Sequence, residues 1–274
     1  MTKLADLHIH TCFSDSTSSP REIAEQAKAC GLSCIAVTDH DTVGGVPSTI
    51  AAGEELGVEV IAGVELSTHF QGKDIDILGY FFDWQHPLLK AKLEKLQNAR
   101  LERMKIMIAK LAALGINDIA LEEVQALTSD KSLGRPHLAT ILVKKGRVGS
   151  VKAAFEKYLG EDGKAYVPKT TQTPYEAIEF LRQVGGVAVM AHPMSTNKDE
   201  IIASLVEAGL GGIEAHYPNC SDNIIHYYEG IAKKYNLVVT GGSDDHGQAK
   251  SYTHIGKKTI PYENVQQLRA RAGK

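Results

Sequence analysis

The stretch "DLHIHTCFSDS", residues 6–16, ends a short apolar run with two histidines one residue apart, and an aspartate follows five residues after the second. Side chains two apart on a β-strand share a face, so His8 and His10 can reach one ion together. A lone histidine at a strand end is ordinarily a satisfied core or surface residue. A pair, with Asp15 close behind, asks what else in the chain converges on the end of this first strand.

Outward from that strand the sequence alternates. "SSPREIAEQAKACG" predicts a helix with Ser19 as cap, Pro20 in its first turn, Glu22 completing a capping box and Gly31 ending it. "SCIAVTD" predicts a second strand, "VPSTIAAGEELG" a second helix and "VEVIAGVEL" a third strand. Strands joined by helices of this length imply right-handed βαβ units and a parallel sheet. "VELSTHFQGKDIDILGYFFD" then predicts two strands around a tight turn at Gln71–Gly72, which would bring Glu65 and Asp76 close together.

Residues 85–169 differ in kind. Leu89, Leu93, Leu96, Met104, Met107, Leu111 and Leu114 keep a spacing of three to four over one long amphipathic helix, with a gap at Arg100. Further helices are predicted at "RPHLATILVKKG" and "VKAAFEKYLG", and no strand is expected. After Lys169 the alternation resumes, with strands "VAVMAHP", "GGIEAHYP" and "LVVTGGSDDH" between helices. About seven strands in all suggest an α/β fold, a closed or nearly closed barrel formed by residues 1–84 and 170–274. Residues 85–169 form a helical insert.

The bulk composition limits the function. The chain has 274 residues, 43% hydrophobic and 23% charged, with a formal net charge of -3. That is a globular composition without the basic excess of a protein that coats long duplex nucleic acid. Cys12, Cys30, Cys34 and Cys220 form no CxxC pair, which favours reduced, packed thiols. No stretch approaches the roughly 20 apolar residues that span a bilayer, and no signal sequence is visible. A cytoplasmic monomer without membrane attachment is expected.

The polar residues fall at repeated places: His8 and His10 end the first strand, His40 follows the second and Glu65 ends the third. His192 ends "VAVMA", and Asp244 and His246 follow "LVVTGG". In a parallel barrel the C-terminal strand ends open on one face, where active sites lie. Histidines with carboxylates and no thiolate suit Zn²⁺, Mn²⁺ or Fe²⁺.

"DLHIHTCFSDS", "TDHD", "GVELS", "AHP" and "GSDDH" resemble the signature motifs of the PHP (polymerase and histidinol phosphatase) family. "GRPHLA" resembles the branch with nucleoside 3′,5′-bisphosphate phosphatases and a short-RNA 5′ exonuclease. The resemblance spans residues 6 to 246 and implies a distorted seven-stranded (β/α)7 barrel carrying three divalent ions. It implies that His8, His10 and Asp244 bind one ion, with Glu65 bridging to a second held by His192. Asp15, His40 and His246 would hold a third. Where the family often has a histidine before "LGY", this chain has Asp76, which can still bind the second ion.

Three divalent ions outweigh the carboxylates of Asp15, Glu65, Asp76 and Asp244, so the cup would attract an anion. Hydrolysis of a phosphate monoester by metal-activated water is the expected chemistry, with a small nucleotide or short RNA as substrate. Arg135 reads as a clamp on a second phosphate, with His137 beside it at a helix N-terminus. His216, in "EAHYP", reads as a substrate contact or leaving-group acid, and Lys169 as a weaker candidate. The competing readings are a histidinol-phosphate phosphatase, an amidohydrolase acting on C–N bonds, and a metal or nucleotide binder without activity.

Overall fold

Strands that end in polar, chemistry-bearing residues need an architecture that brings their ends together. The computed structural model, which describes residues 3–169, 172–250 and 253–274, shows how this is done. In chain order the strands are β1 (Leu4–Ile9), β2 (Cys34–Val37), β3 (Glu59–Leu66), β4 (His69–Phe70) and β5 (Lys73–Asp74). They continue as β6 (Ile77–Tyr80), β7 (Val187–Met190), β8 (Gly212–His216), β9 (Val238–Gly241) and β10 (Ile260–Pro261). The helices are α1 (Pro20–Ala29), α2 (Val46–Leu56), α3 (Pro87–Ala113), α4 (Leu121–Gln125), α5 (Arg135–Lys144) and α6 (Val151–Ala154). After them come α7 (Pro174–Gln183), α8 (Pro193–Thr196), α9 (Ile202–Glu207), α10 (Asp222–Tyr235) and α11 (Tyr262–Arg271).

The main sheet runs β10-β1-β2-β3-β6-β7-β8-β9. β1, β2 and β3 are mutually parallel, as are β7, β8 and β9, while β6 lies antiparallel between β3 and β7. The two ends of the sheet meet: Ile9 bridges to Asp245 in parallel, and the amide of His10 donates to the Asp245 carbonyl at 3.0 Å. The result is a nearly closed barrel. Its strand count exceeds the expected seven by one, because β10 pairs antiparallel with the first two residues of β1 and covers an edge that β9 does not reach.

Local signals act where the sequence places them. Ser19 Oγ accepts the Glu22 amide while Glu22 Oε2 accepts the Ser19 amide at 2.7 Å, a reciprocal cap for α1. Gln71 and Gly72 both adopt positive φ (48° and 80°), which makes the tight turn of the small β4–β5 hairpin. That hairpin sits between β3 and β6. Asp76 therefore reaches the barrel mouth from the start of an antiparallel strand, not from the end of a parallel one.

α3 belongs to two apolar clusters. Leu89, Leu93 and Leu96 pack with Ile178, Leu181 and Met190 of the barrel. Met104, Met107 and Leu111 pack with Leu138, Leu142 and Leu159 in a separate helical cluster. The changeover falls at Arg100, where the apolar spacing breaks.

The seam between β9 and β1 leaves no room for a side chain at Gly242, where an added Cβ would overlap the backbone of His8. We expect Gly242→Ala to lower stability by about 1–3 kcal/mol in urea denaturation, because backbone cannot yield as a flexible side chain would. An unchanged midpoint would show that the seam opens readily.

Candidate metal centre

Histidines and carboxylates from distant parts of the chain meet at the mouth of this barrel. His8, His10 and Glu65 offer donor atoms that all lie within 4.8 Å of one another. So do His10, Asp15, His40 and His246, and so do Glu65, Asp76 and His192. Glu65 is shared by two groups and His10 by two. The sequence placed His10 with the first set only; here its ring also lies 4.0 Å from that of His246 and 4.8 Å from that of His40. Asp244 Oδ1 lies 3.3 Å from His10 Nε2 and 3.6 Å from His8 Nε2, while its Oδ2 accepts Lys250 Nζ at 2.8 Å. Asp76 Oδ1 accepts Lys169 Nζ at 2.9 Å.

The donor set fits divalent cations. Both ring nitrogens of His10, Nδ1 of His40 and Oδ1 of Asp15 are buried without a hydrogen-bond partner, a costly state that an ion would relieve. The ionisation pattern points the same way. Burial alone would lower His8, but Glu214 and Glu65 outweigh it and raise it well above its ordinary value. Burial opposes protonation of His10 as well, yet Asp244 and Glu65 raise it to about 9. Glu65 is held well below the carboxylate range, against its burial, by His40 and His8. His40, where burial dominates, falls to about 3. Protons on some of these imidazoles balance the carboxylates, and cations can replace them.

Residues 6–232 match the PHP domain family. The chain belongs to the PHP family. It is 34% identical over 251 residues to a 5′-3′ exoribonuclease of Haemophilus influenzae, covering 90% of this chain and 91% of that protein. It is 30% identical over 256 residues to a 3′,5′-nucleoside bisphosphate phosphatase of Chromobacterium violaceum, covering 92% and 90%. A crystal structure of a metal-dependent phosphoesterase from Bifidobacterium adolescentis superposes with a TM-score of 0.90 at 30% identity, covering 97% of this chain and 96% of that one. This PHP protein is a metal-dependent hydrolase of phosphoric ester bonds.

Several residues that sequence reasoning passed over build the PHP site from behind. Glu214 on β8 is fully buried; its Oε1 lies 2.9 Å from His8 Nδ1 and its Oε2 accepts the His192 amide at 2.8 Å. It thus turns His8 Nε2 toward Glu65 and holds His192, whose φ is 27°. Asp39 accepts from the Thr11 amide (2.7 Å), Thr11 Oγ1 (2.6 Å) and Ser14 Oγ (2.5 Å), which fixes the loop carrying Asp15. Asp41, at φ 51°, pairs with Arg100 Nε at 2.6 Å, and Ser132 Oγ donates to the His40 carbonyl. Glu214 carried a readable signal, an acidic residue inside the apolar strand "GGIEAH".

The substrate candidates separate. Arg135 opens α5 and lies between the rings of Phe155 (5.6 Å) and Tyr166 (5.5 Å), with Nη2 3.5 Å from Asp74. His137 accepts the Gly134 amide at Nδ1 (3.0 Å), and burial lowers its basicity, so Nε2 carries its proton. His216 is not brought to the cluster. The β8–β9 register shifts between Glu214 and His216, and His216 Nε2 lies 3.0 Å from Glu229 on α10. The bulge turns the ring toward the helix layer, where Glu229 holds it, and His216 belongs to none of the three candidate metal groups.

Two outcomes follow from this geometry. His10 carries a proton up to about pH 9 without an ion, and a ligating imidazole must be neutral. Uptake of Mn²⁺ at pH 7.5 therefore releases protons, and affinity rises with pH toward about 9. Titration calorimetry in buffers of different ionisation enthalpy reads this directly. Glu214→Gln should weaken ion binding by about 10- to 100-fold in a chelator competition, by freeing the His8 ring.

Proposed function

We propose that this enzyme removes a phosphate from a small nucleotide, a nucleoside 3′,5′-bisphosphate. The observation that carries this reading is a chain of charges leading away from the metal ligands. Lys169 Nζ lies 2.9 Å from Asp76 and 3.7 Å from Asp74, and Arg135 reaches Asp74 from the other side at 3.5 Å. A phosphate on the metal centre would thus have a guanidinium within a short span, oriented for a second anion. The identity to the Chromobacterium violaceum phosphatase supports the same substrate class.

In this reading residues 1–84 and 170–274 form the metal-binding barrel, and 85–169 is the insert that brings Arg135. His8, His10, Glu65 and Asp244 would hold one ion, Glu65, Asp76 and His192 a second, and Asp15, His40 and His246 a third, with Mn²⁺, Zn²⁺ or Fe²⁺ suited to these donors. Such ions supply Lewis acidity and charge neutralisation to phosphoryl transfer. The protein's own groups do the positioning. Glu214 and Asp39 lock the ligands, Arg135 grips the non-reacting phosphate, and His137 braces the helix start that carries Arg135. Removal of nucleotides from the 5′ end of short RNA is a second reading, favoured by the 34% identity to the Haemophilus influenzae exoribonuclease.

Phosphate release by the Mn²⁺-loaded protein decides among substrates. We expect release from adenosine 3′,5′-bisphosphate in preference to 5′-AMP and L-histidinol phosphate. Asp244→Ala should fall to background, and Arg135→Ala should raise KM by about tenfold, the loss of a charge-assisted contact. Preference for L-histidinol phosphate, or no release from the bisphosphate, would defeat the proposal.

A further inference from the structure

A hollow of about 290 Å³ opens beside the metal centre, between α3 and residues 167–169. One wall is apolar, formed by Leu96, Ala99 and the half-exposed Ile106; the other carries Arg100, Arg103 and Lys169, with the carboxylates of Asp41, paired to Arg100, and of Glu102, paired to Lys105, also on the lining. The three cations are not equivalent. Arg100 is spent on the fold: Nε pairs with Asp41 at 2.6 Å, Nη1 donates to the Leu133 carbonyl at 3.1 Å and Nη2 to Ser67 Oγ at 2.6 Å. Lys169 is held by Asp76 and Asp74. Arg103 donates Nε to the Val167 carbonyl at 2.6 Å and stands 5.7 Å from the Tyr166 ring. Its Nη2 is buried with no hydrogen-bond partner, and among the described residues no carboxylate pairs with it.

Arg103 is thus a part-buried guanidinium whose nearest counter-charge, Asp74, is shared with Lys169 and Arg135, in a crowd of like charges. Burial first, then the neighbouring Arg135, pull its basicity down to about 10, so it stays charged. Tyr166 holds both arginines in place, at 5.5 and 5.7 Å from its ring. A guanidinium with a buried N–H left unsatisfied and its carboxylate shared among three cations is expensive unless a further anion comes to it. Lys169 adds to the excess, since an ion taken up by Asp76 would leave its ammonium with Asp74 alone, which Arg135 already shares.

We infer that this hollow seats the non-reacting phosphate of the nucleotide, with Arg103 joining Arg135 across Tyr166 as its counter-charges and the Leu96–Ala99–Ile106 wall against the nucleoside. The inference rests on the nucleotide reading above and adds a residue and a place to it. Arg103 makes specificity a matter of a second phosphate: a monophosphate fills the metal centre and leaves the Arg103 Nη2 without a partner, whereas a bisphosphate satisfies both.

The test uses the Mn²⁺-loaded protein with p-nitrophenyl phosphate turnover as reporter, and adenosine 3′,5′-bisphosphate or 5′-AMP as competitor. Arg103→Gln should raise the inhibition constant of the bisphosphate by about tenfold relative to that of 5′-AMP, and Arg103→Lys should recover most of the difference. An unchanged ratio of the two constants overturns the inference, and so does an equal weakening of both ligands, which would report damage to the fold. Phosphate release from the bisphosphate tests the reaction and this ratio tests the seat, so the two ideas fail separately.

Discussion

One carboxylate organises the mouth of the barrel. The two oxygens of Glu65 lie 3.3 Å from His8 Nε2, 3.3 Å from His10 Nε2, 3.2 Å from His40 Nδ1 and 3.0 Å from His192 Nε2. Four imidazoles from three other strand ends can share one buried anion only if those ends are held to within a fraction of an ångström. The backbone accepts local strain for this. Asp41, His192 and Asp244 all take positive φ, where residues other than glycine are uncommon. The hydrogen-bonded carboxylates of Asp39, Glu214 and Asp6 keep that strain in place; Asp6 accepts the amides of Ser243 and Gly256, both at 2.9 Å.

The long helix α3 shows how the same chain serves both packing and the site. Its lower half is core for the barrel and its upper half core for the helical cluster. At the boundary, Arg100 crosses to Asp41, the residue after His40, and to Ser67, two residues after Glu65. The break in apolar spacing is therefore the point at which the helix touches the metal centre's supports. Leu→polar irregularities in an otherwise regular stripe are usually tolerated surface positions; here the polar residue is buried and bonded at all three guanidinium nitrogens.

The strand–helix rhythm and the strand-end histidines were legible because each depends on a few adjacent residues and on a period of two or 3.6. The same pattern brought Asp76 to Glu65 through the Gln71–Gly72 turn. Other features were not legible, for definite physical reasons. Glu214 and His216 sit two apart on one strand, and ordinary alternation would point both inward; a single register shift turns one of them out. Arg103 lies on an amphipathic helix, where a polar position defaults to the solvent face, and only the folded insert buries it. β10 is two residues long, too short for any periodic signal, and it forms because β1 has an open edge to cover.

The direction of β6 sets a rule for how this enzyme can change. An antiparallel β6 delivers the chain to the foot of the barrel, where the Asp83 amide donates to the Val184 carbonyl at 3.3 Å. α3 must then climb about 20 Å in its first 13 residues before it overhangs the mouth. The residues proposed to meet the substrate's far end thus ride on a gantry anchored at the foot, while most of the candidate metal ligands ride on strand ends. Changes at the outer face of the overhang re-specify what fits above the mouth, whereas Arg100 and Ser132 tie its inner face to Asp41 and the His40 carbonyl, so selectivity is free to drift only where those two ties are kept.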